Sequence, residues 1–305
     1  MEYLGGFAIA QSLSAAQQTV QGEFVANSLH GSFIYAGNSE DPIFYHVERL
    51  RDGKGFCTRC VRALQRTRPI FICNVSFTKK RDTGKGKENI QHASPMPPGI
   101  PVPEDMCTFG DEINSPFINR SVGVLDKGGQ RRPEDKCFHQ WIKANGTLSP
   151  SASVQVHQAA LAFMSDSYFL AGVPHSHGIW QFVETPISEF HPSPNGLSAS
   201  TEKHTEIRRP HLEPPEDRAV VEEPRVSMMV SLDHTIYFHN MEYFRADEWL
   251  LSEIQSSWAG NGRGLVQQRI WTKNGEPVAT CIQEVSTTWT PYPVLLSNFA
   301  ITDCY

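Results

Sequence analysis

Two stretches of the chain are small and apolar around most of a helical circumference. The first runs from Phe7 to Ala16. The second runs from Val154 to Phe163 and is opened by Ser151 or Ser153 as an N-cap. A helix that is apolar nearly all round must be buried nearly all round. Each stretch is followed by runs rich in β-branched and aromatic residues. Turns such as Arg51-Asp52-Gly53 and Lys273-Asn274-Gly275 break these runs and read as hairpins. An antiparallel sheet curling around the helix would supply the burial. The pattern therefore predicts an α+β unit, with central helices over 7–16 and 154–166.

The unit recurs. Ser28-Leu29-His30-Gly31-Ser32-Phe33 is echoed by Ser231-Leu232-Asp233-His234-Thr235-Ile236. Gly53-Lys54-Gly55-Phe56 is echoed by Gly262-Arg263-Gly264-Leu265, and Pro69-Ile70-Phe71-Ile72-Cys73 by Pro277-Val278-Ala279-Thr280-Cys281. Three short matches in one order, at an offset of about 205 residues, predict one unit used twice. Two other stretches hold no apolar period. Residues 79–110 open with Lys79-Lys80-Arg81 and carry Pro95, Pro97, Pro98, Pro101 and Pro103, which predicts a linker or long exposed loop. Residues 191–225 carry Pro192, Pro194, Pro210, Pro214, Pro215 and Pro224 among charges of both signs, a composition that buries little. The expected organisation is an N-terminal unit over 1–78, a linker over 79–110, a C-terminal unit over 111–290 with the inserted loop at about 191–225, and a tail over 291–305.

Composition then removes whole classes of function. Of the 305 residues 39% are apolar, which is ample for a core, and 27 basic against 33 acidic side chains leave a net charge of −6. Nucleic acid is not expected as a partner, because phosphate binding needs a basic footprint. No apolar run approaches the roughly 20 residues that span a bilayer. The opening Met1-Glu2-Tyr3-Leu4-Gly5-Gly6 lacks the basic region of a signal peptide. A soluble intracellular protein with no membrane partner is expected. Seven cysteines, an odd and uneven set, fit free thiols in a reducing compartment.

Candidate metal chemistry is weak. Cys57 and Cys60 form a lone C-x-x-C inside a strand-like run from Phe56 to Leu64, and residues three apart on a strand face opposite sides. His157, His175, His177, His234 and His239 fit no zinc spacing. Asp233-His234 looks like a dyad, yet strand neighbours point apart and a structural role is expected. The chain holds no G-x-S-x-G elbow, phosphate loop or dinucleotide fingerprint. Neither a metal nor a cofactor is expected.

Together these residues resemble the acyl-CoA thioesterase II family, the double hot-dog thioesterases. The first half supplies Leu4-Gly5-Gly6, Ser28-Leu29-His30-Gly31-Ser32-Phe33, Val47-Glu48-Arg49-Leu50-Arg51-Asp52-Gly53 and Arg68-Pro69-Ile70-Phe71. The second supplies His157-Gln158, Ser165-Asp166, Ser231-Leu232-Asp233-His234, Phe244-Arg245-Ala246-Asp247-Glu248-Trp249, Gly262-Arg263-Gly264-Leu265-Val266 and Gln283-Glu284. The resemblance implies two curved antiparallel sheets, each wrapped around a central helix, and hydrolysis of acyl-CoA to free acid and CoA. It also implies a water held by three residues, which map to Asp166, Ser231 and Gln283. The implied partners are an acyl-CoA or acyl-carrier thioester and further copies of the chain in a homo-oligomer. A fatty or polyketide-type acyl group in specialised metabolism is one expected substrate.

The chemistry asks for such a set. Water must lose a proton as it attacks the thioester carbonyl, so a carboxylate within reach serves as base, while hydroxyl and amide groups aim the water. Gln11 is the expected first-half counterpart of Asp166, and an amide cannot act as base, so that half is expected to be silent. The sequence also departs from the family pattern. Met1 lies four residues from Gly5, so either the first hot-dog lacks its usual N-terminal strand or the chain is a shortened form, and residues 239–244 carry extra length. The C-terminus is not of the Ser-Lys-Leu peroxisomal type, which favours the cytoplasm over the peroxisome. A second reading follows from the departures: a catalytically impaired hot-dog that binds acyl groups or acts as a scaffold.

Overall fold

The computed structural model describes residues 4–79, 90–106, 115–124, 132–179, 225–239 and 244–290. Most of the loop expected over 191–225, residues 240–243 of the extra-length segment and the tail over 291–305 lie outside the described residues.

The described residues open with helix α1, Leu4–Gln17, followed by the four strands β1 Phe24–Phe33, β2 Ile43–Asp52, β3 Phe56–Gln65 and β4 Arg68–Lys79. Strands β5 Phe117–Val124 and β6 Cys137–Ala144 then lead to helix α2, Val154–Ser165, and helix α3, Phe169–Ser176. Five strands complete the described fold: β7 Arg225–Ser231, β8 Asp233–Phe238, β9 Leu250–Gly260, β10 Arg263–Thr272 and β11 Pro277–Thr290. Both expected hairpins form. Gly53 N–H closes onto Phe56 O at 3.0 Å, and Gly275 turns the β10–β11 hairpin at φ +86°.

Hydrogen bonding joins the halves. Where two sheets were expected, the eleven described strands form one antiparallel sheet, ordered β2-β3-β4-β1-β8-β11-β10-β9-β6-β5, with β7 paired to β11. The seam is the β1–β8 pair, in which Gly31 lies opposite His234. The two echoing segments found in the sequence thus meet each other at the centre of the sheet.

The helices fill one face of the sheet. α1 packs along α2, and two glycines allow the contact: a Cβ on Gly6 would stand 2.9 Å from Phe163 O, and one on Gly5 2.5 Å from Asp166 Oδ2. Burial is not complete all round, since Phe7 and Gln11 on one stripe of α1 stay exposed. α3 was not expected from the sequence, because Gly172 and Pro174 disfavour a helix by propensity. Tertiary packing overrides that preference: α3 lies so close to the sheet that a Cβ on Gly172 would stand 2.9 Å from Val266. The turn into α3 is made by Tyr168 in the left-handed region, φ +72°.

The expected linker does more than connect. Residues 90–106 are largely exposed and hold only one short 3-10 turn, Pro103–Asp105, but they cross the sheet face opposite the helices as a strap. Trp141 and Trp271 donate their indole N–H groups to Pro101 O at 2.8 Å and Ser94 O at 3.1 Å. Leu251 and Val122 join these tryptophans in a second small core, against which Met96, Ile100 and Met106 pack. In the first half, buried Arg59 spends every guanidinium donor on Thr19, Arg51 O, Thr58 O and Asp52, tying the end of α1 to β2 and β3.

Candidate active site

The three residues singled out in the sequence reach one another through a fourth. Asp166 caps the C-terminus of α2. Ser231 ends β7, and Gln283 lies buried in β11. Gln283 Nε2 donates to Ser231 Oγ, while Gln283 Oε1 lies 2.6 Å from His234 Nδ1. His234 Nδ1 is in turn 3.9 Å from Asp166 Oδ1. On its far side His234 Nε2 contacts Ser165 Oγ at 3.0 Å. Asp166, His234, Gln283 and Ser231 therefore form one polar cluster, with His234 and Gln283 fully buried and Asp166 and Ser231 partly so.

A β-bulge brings Ser231 and His234 to the same side. Side chains three apart on a regular strand face opposite ways. Here Ser231 pairs with Val285 and Thr235 with Ile282, so the three residues 232–234 face only Gln283 and Glu284 on β11. The extra residue flips the alternation. Leu232 N–H donates to Glu284 O at 2.9 Å, and Asp233 Oδ1 accepts Glu284 N–H at 2.7 Å, which pins the bulge. Asp233 thus takes the structural role expected of it. His234, given the same expectation, is fully buried and points inward to Gln283.

Burial sets the charges. Asp166 keeps 18% of its side-chain surface open, but its Oδ1 is itself buried and accepts no hydrogen bond among the described residues. Desolvation pushes its carboxyl up to about 7, opposed by a hydrogen bond from Gly6 N–H in the first turn of α1. Burial also pushes His234 down to about 4, so the imidazole is neutral near pH 7. Nearby, the Cys281 thiol is pushed up by burial.

The first half lacks these groups at the corresponding places. In the echo of the two segments Gly31 stands where His234 stands, and two residues beyond Cys73 and Cys281 come Val75 and Gln283. Val75 is fully buried. Gln11 lies mid-helix and exposed, accepting the Tyr45 hydroxyl at 2.6 Å, whereas Asp166 stands at a helix end.

Comparison with known proteins identifies the lineage. Residues 3–78 match the family model of the acyl-CoA thioesterase N-terminal domain, and residues 92–287 that of the C-terminal domain. The chain belongs to the acyl-CoA thioesterase II family. It is 30% identical to acyl-coenzyme A thioesterase 8 of Mus musculus, over 92% of this chain and 78% of that one. It is 27% identical to acyl-CoA thioesterase 2 of Haemophilus influenzae, over 93% and 86%. Among solved structures, the acyl-CoA thioesterase II TesB2 of Mycobacterium marinum superposes with a TM-score of 0.65 at 27% identity, covering 96% of this chain and 91% of that one. A hot-dog-fold protein of Alicyclobacillus acidocaldarius superposes with a TM-score of 0.62 at 16% identity, over 95% of this chain and 88% of that one, so the fold is that of hot-dog proteins.

Within this thioesterase II chain, sequence reasoning missed His234 and Ser165 as members of the cluster. Both stood beside selected residues, in Ser165-Asp166 and Asp233-His234. The signal available was a buried-type His flanked by a carboxylate, but its direction depended on the bulge. No helix among the described residues is long and apolar enough to cross a membrane.

Proposed function

We propose that this protein hydrolyses acyl-CoA thioesters to free acid and CoA with water activated by Asp166. The observation that carries the reading is the convergence of Asp166, Gln283 and Ser231 from α2, β11 and β7 on one largely buried point. Asp166 Oδ1 has acceptor capacity unspent there, and a carboxyl near pH 7 can both take and release a proton. Water gives a proton to Asp166 as its oxygen bonds to the thioester carbon. Collapse of the tetrahedral intermediate breaks the C–S bond, and the CoA thiolate leaves and takes up a proton. Ser231 and Gln283 aim the water, an orienting contribution. The named relatives, acyl-CoA thioesterases from mouse and a bacterium, support the reaction class.

The reading extends to the architecture. Residues 1–78 and 111–290 act as two hot-dog units around α1 and α2, the second active and the first silent. Gly31 and Val75 in place of His234 and Gln283 support that asymmetry. The substrate is a fatty or polyketide-type acyl thioester on CoA or a carrier protein. The described cysteines Cys57, Cys60, Cys73 and Cys281 are free thiols, which supports a reducing compartment such as the cytosol. A homo-oligomer is part of the reading, supported by β2, the terminal strand of the described sheet, which exposes Phe44 and Leu50.

Thiol release from an acyl-CoA panel tests the reading. Asp166→Asn keeps shape and the Gly6 hydrogen bond but removes the base, so kcat should fall on the order of 10²–10⁴-fold. Ser231→Ala and Gln283→Ala should each cost less, and their combination less than the product, since they hold one water. A folded Asp166→Asn protein with wild-type turnover would overturn the assignment. A wild-type protein that binds acyl-CoA without releasing thiol would point to the acyl-binding or scaffold reading.

A further inference from the structure

His234 is a fully buried polar side chain with both ring nitrogens in contact, and the water-activating reading gives it no part. It is fully buried, faces Asp166 on one edge, and touches Gln283 and Ser165 with its two ring nitrogens. The ring of Phe169 closes one side, with centroids 5.3 Å apart and planes at 81°. Such a side chain is either core filling with satisfied nitrogens or a device that holds something else in place.

The neighbouring bonds decide between these. Gln283 is buried and its amide could rotate about its last bond, exchanging oxygen and nitrogen ends. Both ends are held: Oε1 by His234 Nδ1 at 2.6 Å, Nε2 by Ser231 Oγ. A neutral imidazole carries one proton, and the proton's nitrogen dictates which end of the amide it accepts. With the proton on Nδ1, Oε1 must face the ring, the NH₂ group must face Ser231, and Nε2 takes the Ser165 proton. Ser165 Oγ lies 2.9 Å from Ala162 O and 3.0 Å from His234 Nε2, so its single proton serves one of these at a time. A shift of that proton to Ala162 O moves the imidazole proton to Nε2 and turns the amide over. Ser165, His234, Gln283 and Ser231 are therefore one directional chain anchored on the α2 backbone.

We infer that His234 is a positioning residue: it fixes the direction of the Gln283 amide and, through it, of Ser231 beside Asp166. The inference rests on the water-activating reading for its consequence in rate, but its geometric content concerns Gln283 alone. First-half structure agrees, because Gly31 and Val75 replace His234 and Gln283 together. Where the amide is gone, so is the group that would hold it.

Three substitutions separate positioning from packing. His234→Asn places an amide where Nδ1 stood, so its NH₂ group can still donate to Gln283 Oε1. His234→Gln reaches toward Ser165 but not Gln283, and His234→Leu fills space with no polar atom. Positioning predicts that Asn stays within a few-fold of wild-type kcat, whereas Gln and Leu fall on the order of 10–100-fold with KM little changed. It also predicts that His234→Leu adds little to the loss already caused by Gln283→Ala. Leu turning over as wild type, Asn and Leu falling equally in folded proteins, or full additivity with Gln283→Ala would each overturn the inference. Should Leu fail to fold, the Asn-to-Gln difference decides it alone. Asp166→Asn, assayed alongside, keeps the two claims apart. If it stays active while His234 and Gln283 remain non-additive, the base is wrong and the positioning of Gln283 stands.

Discussion

At the scale of single residues, the site depends on one carboxyl whose proton affinity burial has raised. In the proposed mechanism the reacting form of Asp166 is ionised, and burial pushes its carboxyl up to about 7, so kcat/KM should climb about ten-fold per pH unit below that value and level off above it. A rate profile flat from about pH 5 to 9 would remove Asp166 as the base. Stability carries the opposite sign. A carboxyl raised from its ordinary 3.8 contributes stability that is fully present below about 4 and is lost as pH rises through about 7. Asp166→Asn should therefore melt above wild type at pH 8, and the gap should close toward pH 4. A constant gap across that range, read by calorimetry, would contradict the burial argument. Activity and stability are in tension at this residue, as expected where a charge is formed at a largely buried site.

At the scale of elements, the approach of α1 to α2 sets the geometry of the site. Gly6 has two functions there: its N–H bonds to the Asp166 carboxyl, and its bare Cα lets α1 rest against Phe163 O. Gly6→Ala gains ~1 kcal/mol of helix propensity. It must also push a backbone carbonyl that a Cβ would meet at 2.9 Å, and overpacking costs about 1–3 kcal/mol. The balance should lower Tm by a few degrees, at roughly 2–4 °C per kcal/mol for a chain of this size, and displace Asp166. Gly22, which has open space around it, is the control: Gly22→Ala should leave Tm within a degree or so. Equal melting of both variants would show that the helix contact tolerates a methyl group. The bulge at Leu232 is the second decisive element, since it lets Ser231 and His234 share one side of the sheet.

At the scale of the whole molecule, a single sheet carries helices on one face and a strap on the other. The strap is held by the indole N–H groups of Trp141 and Trp271 and by the Lys273–Glu104 pair at 2.7 Å. That ion pair is exposed and contributes little. The indoles are nearly buried, and each hydrogen bond is worth about 1 kcal/mol. Trp141→Phe combined with Trp271→Phe keeps the apolar contacts and deletes both donors. Amide exchange should then speed up over residues 90–106 well before it does in α1. If exchange rises equally everywhere, the strap is not a separate layer but part of one cooperative core.

What the sequence by itself determined was local or periodic. The two apolar helices, both hairpins and the echo of Ser28–Phe33 in Ser231–Ile236 all stand where the pattern put them, within a few residues at helix ends. Asp166, Ser231 and Gln283 could be selected because the residues around them resemble a family, although their meeting point could not be read. Tertiary structure alone decided the rest. The joining of two sheets at β1–β8, the helix at Phe169–Ser176 despite Gly172 and Pro174, and the anchoring of the strap all depend on partners far away in the chain. His234 makes the reason plain. Its inward direction follows from three residues facing two across β11, a mismatch of register between segments some fifty positions apart. Side-chain alternation is a property of one strand, but where it slips is set by the strand beside it.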